Sequence, residues 1–106
     1  MPLLEQFKNL FTEERRMFRA TVETGAPLPD SSYCYVIQRA AKKLELTGWV
    51  SMTHTGALRS ELEGEKTAIE KFINQLGSGL FLPYPPPLNV MWSTYRGQFR
   101  DIEVRL

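Results

Sequence analysis

An α+β fold of the split βαβ type, with order βαββαβ and both helices on one face of an antiparallel sheet, is predicted for this 106-residue chain by three observations. Runs of alternating apolar and polar residues recur at strand length. Two stretches between them carry apolar residues at three-and-four spacing, and segments rich in glycine and proline punctuate the boundaries. An added amphipathic helix is expected before this core.

That helix is read from Leu3, Leu4, Phe7, Leu10 and Phe11, which share one helical stripe, with Pro2 suited to a first turn. It gives a division into an N-terminal helix over 1–13 and a domain over 16–106. From Arg16 the period changes to two: Phe18, Ala20 and Val22 face one way, Arg19, Thr21 and Glu23 the other, until Gly25. Gly25 to Ser32, with two prolines, is expected to be a loop whose serines cap the helix that follows. In that helix Tyr33, Val36, Ile37, Ala40, Ala41 and Leu44 alternate with Gln38, Arg39, Lys42 and Lys43 at helical spacing.

Gly48-Trp49-Val50 opens a second strand reaching about Thr53. His54-Thr55-Gly56 turns into a third, Ala57 to Glu63, with Leu58, Ser60 and Leu62 on one face. After Gly64 a second helix carries Ile69, Phe72, Ile73 and Leu76 and stops at Gly77. Gly77 to Pro87 holds the Pro85-Pro86-Pro87 triplet and is expected to link rather than pack. Leu88-Val90-Trp92 and Ile102-Val104-Leu106 alternate cleanly around turn residues at Arg96-Gly97 and are expected to close the sheet as a pair. The sum is the ferredoxin-like arrangement.

Thirteen basic against twelve acidic residues leave a net charge of +1, which gives no electrostatic reason for a nucleic-acid or anionic-membrane partner. Outward sheet positions Arg19, Thr21, Glu23, Arg59, Glu61 and Glu63 hold no aromatic platform for bases, and their acids would repel phosphates. A single cysteine, Cys34, and a single histidine, His54, leave no ligand set for a metal and no internal disulfide. Glu5 interrupts the N-terminus, so no secretory signal is read there and no stretch is long enough to span a membrane. The expectation is a soluble, cytoplasmic chain without cofactor.

Longer motifs carry a family resemblance. Ala40 to Val50, running from helix one into Gly48-Trp49-Val50, resembles the corresponding acylphosphatase segment. Gly56 stands at the hairpin glycine, Glu63-Gly64 at the end of the third strand and Ala68 to Phe72 in helix two. Gly97-x-Phe99-x-x-Ile102-x-Val104-Arg105 resembles the family's closing strand. The resemblance implies metal-free hydrolysis of carboxyl-phosphate anhydrides. It implies a loop whose backbone amides and arginine hold phosphate, and an asparagine after Gly-Trp-Val-x that positions water.

Both catalytic positions depart from that pattern. Counting from Gly48, the arginine position is Cys34 and the asparagine position is Met52. In the loop at the former phosphate site, Gly25, Asp30, Ser31 and Ser32 are joined by Pro27 and Pro29, which offer no N–H, and Asp30 brings a negative charge. One preorganised donor is worth about 2.7–4 kcal/mol of barrier, so the combined loss predicts no hydrolysis. The expected role is a binding or assembly module with an unknown protein partner or a second copy, contacting Leu3, Phe7, Leu10 and Phe81 of the apolar Leu80–Tyr84 run. The alternative is an acylphosphatase with a rearranged phosphate site, drawing on Arg19, Arg39 or Arg59, or a thiol hydrolase pairing Cys34 with His54. The plainer reading makes Cys34 a small core residue, His54 a solvated turn residue and the three arginines surface charges.

Overall fold

Residues 16–106 are described by the structure, a computed structural model; the expected helix with Leu3, Phe7 and Leu10 lies outside them. Strand β1 spans Met17–Pro27, helix α1 Tyr33–Lys43, β2 Thr47–Met52, β3 Ala57–Glu65, α2 Lys66–Gly77, β4 Leu88–Thr94 and β5 Ile102–Arg105. The sheet has five strands in the order β4-β1-β3-β2-β5. Alternation in β1 and β3 turns Ala20, Val22, Leu58, Ser60 and Leu62 inward, where they are buried against Ile37 and Ala41 of α1 and Ile69, Phe72 and Leu76 of α2. Leu44 caps α1 by donating its N–H to Ala41, and Glu45, at φ 60°, reverses the chain into β2.

Five expectations are corrected. The sheet is mixed, because β5 runs parallel to β2 while the other pairings are antiparallel. β4 and β5 do not form a closing pair; they occupy opposite edges. Alternation fixes which face a side chain takes and is silent on a strand's neighbour, and residues 95–101 are long enough to cross between edges.

β1 also continues past Gly25. After an irregularity between Glu23 and Pro27 it pairs Pro27 with Ala57, so Gly25 to Pro27 are strand rather than loop. Thr24 makes this possible: its buried hydroxyl accepts the Leu58 N–H at 2.9 Å and donates to the Ala26 carbonyl at 2.8 Å.

The proline-rich segment packs as well as links. Leu82 is buried in the core, Phe81 packs half-buried against it, and the Tyr84 hydroxyl donates to the Pro27 carbonyl. Of the expected apolar patch, Leu80 stays open at 65% exposure.

Finally, Arg19 and Glu63 point away from the helices as predicted but are not surface charges. Residues 95–101 cover them. Glu63 accepts the Arg96 N–H at 2.7 Å and the Gln98 N–H at 3.3 Å, while Arg19 pairs with Glu61, donates to Gln98 at 3.0 Å and lies 5.0 Å from the Phe99 ring centre. Their hydrogen-bonding capacity is met inside this cluster, which is how buried charge is tolerated.

Candidate functional site

Strand directions decide what meets at the end of the sheet where β1 finishes. β1 and β2 are each antiparallel to β3 and therefore parallel to one another, so their C-terminal ends lie together, and α1 begins there. The fold thus gathers the 25–32 segment, Cys34 in the first turn of α1, and Met52 at the end of β2. These are the positions that the sequence singled out.

An anion site at this place would be built from backbone N–H groups, so their destinations are the first question. Gly25 donates to the Pro87 carbonyl at 2.7 Å and Leu28 to the Gly56 carbonyl at 2.8 Å. A side chain at position 25 would meet Pro87 at 2.8 Å, so glycine is what allows that approach. Tyr33, Cys34 and Tyr35 donate back to the carbonyls of Asp30, Ser31 and Ser32 at 3.4, 3.1 and 3.1 Å, which closes the first turn of α1 on itself. Pro27 and Pro29 have no donor.

The segment's own carboxylate bonds within it. Asp30 accepts the Ser32 N–H at 2.8 Å and also the Ser32 hydroxyl. Those two bonds, the hydroxyl's first, hold the Asp30 carboxyl below its ordinary value of 3.8. Ser32 therefore turns back to Asp30 and makes no side-chain cap to α1, contrary to the expected capping. A phosphate approaching here would meet that carboxylate, and the Gly25, Leu28, Ser32, Tyr33, Cys34 and Tyr35 amides already have partners.

Cys34 and Met52, the positions that the resemblance sets against the catalytic pair, both pack with the apolar core. Cys34 is fully buried, and burial pushes its thiol pKa up, the opposite of what a thiolate nucleophile needs. His54 is exposed in the β2–β3 turn and has no hydrogen bond to Cys34. Met52 packs half-buried against the core. Arg19 is engaged near the start of β1, Arg59 pairs with Glu23 at 3.2 Å on the outer face, and Arg39 sits on the exposed side of α1. None of the three supplies a guanidinium to the 25–32 segment.

Thr24 and Tyr84, which shape this end, were not singled out from the sequence. A threonine before glycine and a tyrosine among prolines carry no periodic signal. Among the described residues no group of three or more His, Cys, Asp or Glu is placed to hold a metal, and no helix is long and apolar enough to cross a membrane.

The family model and the sequence relatives agree on one family. The acylphosphatase family model matches residues 31–101, a span that begins downstream of Gly25 to Asp30. The acylphosphatase of Salinibacter ruber is 32% identical over 68 residues, covering 64% of this chain and 72% of that protein. Among solved structures, acylphosphatase from Bacillus subtilis superposes with a TM-score of 0.72 at 18% identity, covering 84% of this chain and 99% of that one. An acylphosphatase from Coxiella burnetii gives 0.69 at 23% identity, with 88% and 97% covered. At these identities the two structures share the fold.

Proposed function

The chain belongs to the acylphosphatase family, and we propose that it uses the family's scaffold as a binding or assembly module without the hydrolytic site. One observation carries this reading: the amides at the start of α1 are bonded to the carbonyls and the Asp30 carboxylate of their own loop. Replacing such bonds with phosphate would cost the loop its internal structure, and none of Arg19, Arg39 and Arg59 stands ready to offset the loss. Cys34 and Met52, as apolar occupants, support the same reading.

Purified protein is expected to leave benzoyl phosphate at its buffer rate. The Cys34→Arg/Met52→Asn chain should gain nothing, because the two side chains would return to a loop most of whose amides are committed. Hydrolysis by the native chain above the buffer rate would sink the proposal.

Family membership favours a second reading, acylphosphate hydrolysis by a rearranged site, since relatives in the family carry that name. Phosphate titration followed by amide NMR separates the two: shifts confined to residues 25–34 support the second, and an unchanged spectrum supports the first.

The binding role has a surface to use. Among the described residues β4 pairs with β1 on one side and with no strand on the other, with Met91, Trp92 and Tyr95 at 65, 41 and 41% exposure along and just past that edge. A reducing, cytoplasmic setting suits Cys34, which has no second cysteine to pair with.

A further inference from the structure

We propose that β4 is the seam of a two-fold dimer, in which the β4 edges of two copies of this chain pair antiparallel and join their five-stranded sheets into one. The inference rests on the binding-module reading for the use of that edge and deepens it by naming a second copy as the partner.

The two sheet edges are built differently. β5 is four residues long and carries Glu103 and Arg105, the shortness and charge that keep an edge from pairing. β4 has neither device. Its seven residues, Leu88 to Thr94, hold no charge and no proline, and their register with β1 runs without a bulge. Among the described residues no strand lies on its outer side, which leaves about 24 Å of edge with alternate N–H and C=O groups turned outward.

The strand suits its own copy. A two-fold pairing uses all seven residues when Met91 of one copy lies opposite Met91 of the other; a one-residue slip would set side chains of opposite faces against each other. Val90 and Trp92 take the helix face, since they stand opposite buried Val22 and Ala20 of β1. In the centred register Val90 of each copy meets Trp92 of the other there, a β-branched side chain against an aromatic one, and Asn89 meets Ser93 on the outer face.

Charge agrees across the seam. The Lys66 Nζ stands 6.0 Å from the centre of the Trp92 ring, and Glu70 lines an open groove of about 490 Å³ with Ile73, Val90 and Trp92. Because Trp92 of one copy faces Val90 of the other, each Lys66 comes to the side of the other copy's Glu70, twice over by symmetry.

Sedimentation equilibrium of the full chain tests the proposal, with an expected mass of twice 12.2 kDa. Met91→Lys, at an exposed position, puts two like charges on the axis and should raise the dimer dissociation constant about tenfold or more, with core amide dispersion unchanged. Lys66→Glu and Glu70→Lys should each weaken the dimer and together restore it. Independently, the Met91→Cys chain treated with oxidised glutathione should link to its own copy through position 91, while buried Cys34 stays reduced. A monomer, an assembly that keeps growing with concentration, a dimer indifferent to Met91→Lys, a charge swap that fails to restore pairing, or no link through position 91 would each overturn the assignment. A monomer that leaves benzoyl phosphate intact removes the second copy and keeps the non-hydrolytic reading; a dimer that hydrolyses it does the reverse.

Discussion

At the residue scale Cys34, which the resemblance sets against an arginine, behaves as core. Its folded pKa is raised by burial, so the protonated thiol is favoured in the native state. The sign follows from proton counts. Below the ordinary thiol value of 9.0 both states hold the proton and the contribution is complete; as pH rises through 9.0 toward the folded value, the unfolded chain releases the proton first and stability falls. We expect urea midpoints to drop more steeply above that value in the native chain than in Cys34→Ala, the slopes differing by up to about 1.4 kcal/mol per pH unit. Parallel slopes would mean that the thiol reaches solvent. Asp30 works in the other direction: its stabilisation is present above 3.8 and is lost as pH falls through its lowered folded value.

At the scale of elements, the proline-rich segment between α2 and β4 is the clearest surprise. Leu82 is 6% exposed within the core, so Leu82→Ala should cost roughly 2–4 kcal/mol in urea denaturation, as for any core leucine. A cost near zero would return the segment to the role of a linker. The helices and the inner faces of β1, β2 and β3 were legible because burial on one side leaves a period in the sequence: Ile69, Phe72 and Leu76, and Leu58, Ser60 and Leu62, are where the pattern put them. Leu82 was not legible, since a run such as Leu80 to Tyr84 has no period to show which residue turns inward. The loop was half legible. Pro27, Pro29 and Asp30 announced missing donors and a negative charge, but a sequence does not say that Asp30 would take the Ser32 N–H or that Gly25 would be tied to Pro87.

Across the whole molecule, the crossing from β4 to β5 is what holds the two sheet edges in one topology. Arg19 is the hinge of that contact, and Glu63, 1% exposed, would lose its cation if Arg19 were removed. Arg19→Ala should destabilise by roughly 2–4 kcal/mol in urea denaturation, the two N–H donors to Glu63 offsetting part of the cost of an unpaired buried charge. Arg19→Lys should recover little, because an ammonium cannot reach Glu61 and Gln98 as a fork does. Neither partner choice nor crossing was readable beforehand: Arg19 and Glu63 look like solvent-facing strand residues until the chain that covers them is in place. The same topology has a mechanical consequence. β1 and β5 point the same way, so tension applied at Met17 and Arg105 pulls from opposite ends of the sheet along the strands. The four residue pairs joining β5 to β2 are then loaded together, in shear, rather than opened one after another like a zip.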